Sequence, residues 1–201
     1  GNALREDCLP LIVESARGKP WDMGRRSALE LLARNRVPLV AIELSSQENA
    51  PVDLTGVNLG GAVLRLARFD NSALLEANLT RADLTKAILE GADLDHAVFD
   101  WAELPGATLR RANLYGSSFL QSNLSRADLS EAEATYVTFD GATLVGASFE
   151  GALLQGSVFR NLSLDGASFR NADLQDTVFA GVALHGADFS EASLVDADFS
   201  G

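Results

Sequence analysis

The chain has 201 residues, enough for one domain or an elongated repeat array, and no apolar run long enough to cross a bilayer as a helix. Its formal charge of −12 sits wholly in residues 52–201, because residues 1–51 carry seven bases and seven acids. That distribution argues against nucleic acid or an anionic membrane surface as a ligand of the larger part.

A single cysteine, Cys8, excludes an internal disulfide and a cysteine-ligated metal cluster, and fits a reducing compartment. A cytoplasmic location is favoured, with a targeting segment removed ahead of Gly1 left open.

Residues 1–51 read as an N-terminal helical capping segment. Pro10 to Ala16 predicts a short helix, with proline in its first turn and Gly18 beyond its end. Gly24–Val37, GRRSALELLARNRV, predicts a stronger helix carrying Leu29, Leu31 and Leu32. PLVAIEL has the composition of a strand, and SSQENAP reads as a loop. Arg17, Lys19, Arg25, Arg26, Arg34 and Arg36 form a basic cluster suited to an acidic partner or to the acidic chain that follows.

From Val52 to Gly201 the chain divides into thirty consecutive five-residue units without insertion. The third residue is Leu or Phe in twenty-nine of them, Ala leads most, and all ten phenylalanines occupy third positions. On an α-helix a period of five would spiral around the axis, and on a flat strand it would alternate between faces. The pattern becomes one-sided only if the chain turns a corner once per unit, with positions one and three inward. Phe99, Phe119, Phe139, Phe159, Phe179 and Phe199 recur every twenty residues, and Phe149, Phe169 and Phe189 run ten out of phase. Four units per turn put like on like, which gives an all-β, four-sided parallel solenoid roughly 36 Å long at one sheet spacing per coil.

Units such as ANLTR, ADLTK, ADLSE and ADFSE resemble the A-(D/N)-(L/F)-X-X consensus of the pentapeptide repeat proteins. The resemblance covers about three quarters of the chain. It implies a right-handed quadrilateral parallel β-helix of about 7.5 coils over 52–201, with 1–51 as a small helical cap. The handedness agrees with the rule for parallel crossovers. The last unit, ADFSG, matches the pattern fully. Either the native chain continues beyond it, or that end is covered, as in a homodimer formed through the C-terminal end.

Chemistry is sparse. His96 and His185 lie more than four coils apart, and there is no phosphate loop, metal-spaced His/Cys cluster or nucleophile motif. The sequence therefore predicts no enzyme, no cofactor and no dedicated metal site, although Asp93 and Asp95 point the same way. Charge is unevenly shared among the four walls. The one centred on Leu54, Leu74, Leu94, Leu114, Ala134, Leu154, Leu174 and Leu194 carries Asp53, Glu76, Asp93, Asp95, Glu133, Asp173, Asp176 and Asp196, with no Lys or Arg. Tyr115 and Tyr136 fall on it as well. Ala134 takes a slot held elsewhere by Leu or Phe, a hole costing roughly 2–5 kcal/mol if left empty. Val137, where Ala is usual, is the candidate filler; the alternative is a bulge that re-aims Glu133 and Tyr136.

These features point to a non-catalytic scaffold that shows an acidic, tyrosine-bearing wall to a basic protein. The family resemblance adds a second possibility, a DNA mimic that binds DNA gyrase, a type II topoisomerase, as quinolone-resistance and toxin-protection members do. Magnitude counts against it: duplex DNA of that length carries roughly twenty-one phosphate charges, against eight acids on this wall. A third possibility is a spacer within a larger effector or membrane protein.

Overall fold

A computed structural model of the chain describes residues 23–45 and 51–200. The helix expected at Pro10–Ala16, together with Arg17 and Lys19, lies outside them. Helix α1 spans Met23–Arg34, three residues shorter at its C-terminus than the sequence suggests. It ends there because Arg36 adopts a left-handed φ of 54°. The Arg36 N–H then donates to the Ala33 carbonyl and the Val37 N–H to the Leu32 carbonyl, each at 2.9 Å. This paired closure satisfies carbonyls that a helix end leaves open. Ala28, Leu29, Leu32 and Ala33 form the buried stripe, while Leu31 faces outward. Arg26 of the basic cluster binds backbone, donating to the carbonyls of Thr55 at 2.9 Å and Gly56 at 2.7 Å.

PLVAIEL is not a strand. Ala41 turns the chain with φ 54°, and only Glu43 bridges, in parallel to Arg68. Val37, Leu39, Ile42 and Leu44 are buried at spacings of two and three, so two corners of repeat geometry precede Val52. Its apolar residues are inward for a five-residue reason, and strand composition is a by-product.

Beyond Val52 the five positions have five distinct jobs. First and third side chains enter the core: Ala82, Leu84, Ala87 and Leu89, for example, are fully buried. Second residues pair in parallel with their counterparts twenty residues on, as in Asp53 with Ala73 and Asn58 with Asn78. Fifth residues make the corner. Every one from Gly56 to Asp196 has φ between 53° and 69°, in the left-handed region that a type II turn demands at its third residue. The corner leaves two or three extended residues per wall. Among the described residues only β1 (Val158–Arg160) and β2 (Val178–Ala180) reach strand length, paired in parallel with Phe159 opposite Phe179.

The backbone donors can be followed around one unit. The third N–H donates to the next coil, as Leu84 does to the Glu103 carbonyl at 2.7 Å, and the fifth does likewise, Lys86 to Pro105 at 3.1 Å. The second reaches back, Asp83 to Ala62 at 2.9 Å, and the first closes the corner, Ala87 to Leu84 at 2.9 Å. The fourth N–H has no backbone partner. It is taken by the second side chain, as the Asp83 Oδ1 accepts from the Thr85 N–H at 3.1 Å. Asn58, Asn78, Asn113, Asn123 and Asp128 do the same for their own units. The Asp/Asn preference at position two is thus a donor-satisfaction device.

Inside, phenylalanines stack in columns. Phe119 lies over Phe99 at 4.6 Å and Phe139 over Phe119 at 5.3 Å, with interplanar angles of 2° and 14°. The column on the opposite wall meets this one edge-on, Phe149 to Phe139 at 5.6 Å and 84°. Stacking along the axis and T-contacts across it are both geometries the aromatic quadrupole favours.

Candidate interaction surface

The wall that carries Asp53 and Tyr115 is built from one column at each outward position. At position two the bridged ladder reads Asp53, Ala73, Asp93, Asn113, Glu133, Leu153, Asp173, Ser193. Carboxylates therefore stand on alternate coils. Asp53, Asp93 and Asp173 each cap their own fourth N–H, at 3.0, 3.4 and 3.2 Å, and the second oxygen of Asp173 accepts from the Gln155 amide at 2.6 Å. Asp53 and Glu133 are exposed, while Asp93, Asp95 and Asp173 are half-buried. Glu76, Asp176 and Asp196 occupy left-handed corners with φ of 55°, 58° and 55°, and are exposed.

What separates this wall from the others is the absence of counter-ions. Elsewhere several acids meet arginines: Arg65 pairs with Asp83, Arg110 with Asp128 and Glu131, Arg111 with Glu90, Arg160 with Asp140 and Arg170 with Asp188. Among the described residues none of the eight wall carboxylates pairs with Lys or Arg. Among the described residues the wall's one acid-to-ring contact is Asp95 with the imidazole Nδ1 of His96 at 2.5 Å.

At mid-length the wall carries rings. His96 lies against Tyr115, centroids 5.6 Å apart, and Tyr115 meets Tyr136 edge-on at 5.7 Å and 90°. Tyr115 is 44% exposed and Tyr136 60%, with Leu153 close by in the ladder at 43%. Glycine allows the rings to lie down. A Cβ on Gly156 would sit 2.6 Å from the Tyr136 ring, and one on Gly116 would sit 3.0 Å from His96 Nε2. Sequence reasoning placed the tyrosines and carboxylates on this wall but did not single out His96 and Leu153, which lie among them. The signal for His96 was its fifth position on the same wall as Tyr136, with a glycine one coil later.

Ala134 does not mark a bulge. Glu133 keeps its bridges to Asn113 and Leu153, and Tyr136 has the same left-handed φ, 58°, as other corners. Ala134 and Val137 are both fully buried. The turn between them is modified by Ser157, whose hydroxyl accepts from the Val137 N–H at 2.9 Å and donates to the Ala134 carbonyl at 2.6 Å.

His96 lies on the acidic wall and His185 on a wall centred on Leu164 and Leu184, where it faces Asp165. Asp93 Oδ1 accepts from the Asn113 amide at 2.8 Å, and Asp95 is held by His96. Among the described residues no group of three or more His, Cys, Asp or Glu is placed to hold a metal ion, and no helix is long and apolar enough to cross a membrane.

The family model described as pentapeptide repeats matches this chain in eight copies, over residues 52–85, 62–99, 92–130, 122–161 and 163–201. No curated protein matches it. Among solved structures, the pentapeptide repeat protein Rfr23 from the cyanobacterium Cyanothece 51142 is 31% identical, over 46% of this chain and 62% of its own, with a TM-score of 0.43. The match thus spans less than two thirds of Rfr23. HetL from Nostoc sp. strain PCC 7120, a pentapeptide repeat protein involved in heterocyst differentiation regulation, is 28% identical over 85% of this chain and 92% of its own, with a TM-score of 0.35. QnrB1, a plasmid-mediated fluoroquinolone resistance protein, is 18% identical over 81% and 84%, with a TM-score of 0.39.

Proposed function

The chain belongs to the pentapeptide repeat family, and from that premise we propose that it is a non-catalytic scaffold whose acidic, aromatic wall receives a basic surface of another protein. In this reading residues 52–201 form a right-handed quadrilateral β-helix of about 7.5 coils, and residues 1–51 cover its N-terminal end. The observation that carries the reading is the contrast in pairing. About half of the acids on the other walls meet arginines within the chain, among them Asp83, Glu90, Glu131 and Asp188, whereas the eight carboxylates on this one have no Lys or Arg partner among the described residues. A cationic partner would supply the missing charges, and Tyr115 and Tyr136 are ring surfaces of the kind that anchor interfaces.

The test compares two neutralised variants in quantitative affinity capture. One carries Asp93→Asn, Glu133→Gln and Asp173→Asn on the acidic wall; the other carries Asp128→Asn, Glu150→Gln and Asp188→Asn on a neighbouring wall. A partner retained by the second variant and lost by the first supports the reading. A partner that follows net charge alone, lost equally by both, overturns it. The alternative of a DNA mimic for a topoisomerase is tested in parallel by gyrase supercoiling; no inhibition at micromolar protein removes it.

A further inference from the structure

We propose that the acidic wall holds a segment of polyproline II helix that carries an arginine or lysine at every third residue. This rests on the scaffold reading and names the partner's local structure. The argument begins with spacing. Stacked rings in the core lie 4.6 to 5.3 Å apart from coil to coil; at the ordinary sheet spacing of roughly 4.8 Å per coil, carboxylates on alternate coils stand roughly 9.6 Å apart along the tube. Asp53, Asp93, Glu133 and Asp173 repeat this interval three times.

Ladder electrostatics do not impose the alternation. On the opposite wall Asp83 and Glu103 are direct bridge partners on adjacent coils, so the fold accepts acids one rung apart. Nor does donor satisfaction require charge, since Asn58, Asn78, Asn113 and Asn123 cap their fourth N–H groups as neutral amides. Glu133 is not seen to cap at all; its carboxylate is exposed beside Tyr136.

A partner running along the tube must present cations at the same interval on one side. An extended strand repeats a face every two residues, about 6.6 Å, and falls out of step at the first interval. An α-helix with basic residues seven apart repeats at about 10.5 Å and drifts by about 3 Å over the ladder. A polyproline II helix repeats every three residues at about 9.3 Å and stays within about 1 Å. The rings favour the same choice. Tyr115 and Tyr136, perpendicular at 5.7 Å with Tyr136 lying over Gly156, form the kind of aromatic surface on which proline rings dock and guanidinium groups stack.

The experiment is fluorescence anisotropy at low salt with three labelled peptides. The first has four Pro-Pro-Arg triplets, the second the same composition with its arginines contiguous, and the third is an alanine-based helix with arginine at every seventh position. The triplet peptide is expected to bind about tenfold more tightly than either of the others. Tyr136→Asn keeps a residue that tolerates the left-handed corner while removing the ring. It and Glu133→Gln are each expected to weaken the triplet peptide by about threefold or more, and Glu150→Gln on the neighbouring wall to leave it unchanged. If the contiguous or helical peptide binds as tightly through the same residues, the register argument falls and the scaffold reading stands. If no peptide responds to Tyr136→Asn or Glu133→Gln, both fall.

Discussion

The hydroxyl of Ser157 sits within the turn that Ala134 begins, one coil earlier, and links the Val137 N–H to the Ala134 carbonyl. All three residues are fully buried. Ser157→Ala would leave a buried donor and a buried acceptor without their shared partner, a loss of about 1–3 kcal/mol. Equilibrium denaturation should show it as a lower midpoint with an unchanged slope. An undiminished midpoint would mean that the turn closes directly without the hydroxyl.

The same corner makes a packing prediction. If Val137 supplies the volume that Ala134 lacks, Ala134→Leu alone overpacks the wall and destabilises by roughly 1–3 kcal/mol. Adding Val137→Ala should then recover much of the loss. A double-mutant cycle measures the coupling; additive effects would show that the two side chains do not share the space.

Seventeen corners between Val52 and Gly201 hold a non-glycine residue in the left-handed region. Leu66, at φ 59° and 51% exposed, has little packing to lose. Relief of left-handed strain, roughly 1–2 kcal/mol, outweighs the greater unfolded-state entropy of glycine, roughly 0.5–1 kcal/mol. Leu66→Gly should therefore raise the thermal midpoint slightly, whereas Gly141→Ala, at φ 68° with Gln121 packed over it, should lower it.

Glu30 links α1 to the repeat, accepting from the Asn58 N–H at 3.0 Å and from Arg26 at 3.1 Å. Burial pushes its carboxyl pKa up, but the Asn58 N–H and the Arg26 guanidinium, with Arg34 further off, outweigh that and leave it lowered. A lowered folded-state value means stabilisation that is complete above the unfolded carboxylate value, about 4.3, and lost as pH falls through the folded one. Glu30→Gln should thus lower the midpoint near neutrality, and the difference should shrink progressively as pH falls below the unfolded carboxylate value and the folded carboxyl takes up its proton. A difference that persists in acid would assign the effect to shape and not to charge.

Much of the repeat was legible because the inward positions obey one rule. Leu or Phe every five residues demanded a corner, and the twenty-residue recurrence of Phe119, Phe139 and Phe159 demanded four corners per turn. The structure stacks those rings as that period requires. Corners at Val37–Leu44 were hidden because Pro38 and Glu43 replace Asp or Asn at the second position, and a β-rich composition suggested a strand instead. The left-handed state of Leu66 and Trp101 was equally hidden, since neither residue signals it locally; their neighbours impose it. On the acidic wall the carboxylates and tyrosines followed from register alone. The absence of Lys and Arg from that wall was legible too, but the cap duty of Asp53, Asp93 and Asp173, and the fact that no arginine of an adjacent wall reaches across, could be seen only once side chains were placed in three dimensions.

The claim that one wall is the working face is tested most directly by site-specific photo-crosslinking to a recovered partner. A photoreactive residue is placed in turn at Gln155 on the acidic wall and at Gln121, His185 and Arg170 on the other three. The account predicts strong crosslinking from position 155 and background yields from the rest. Crosslinks concentrated at 121, 185 or 170, with none from 155, would contradict it.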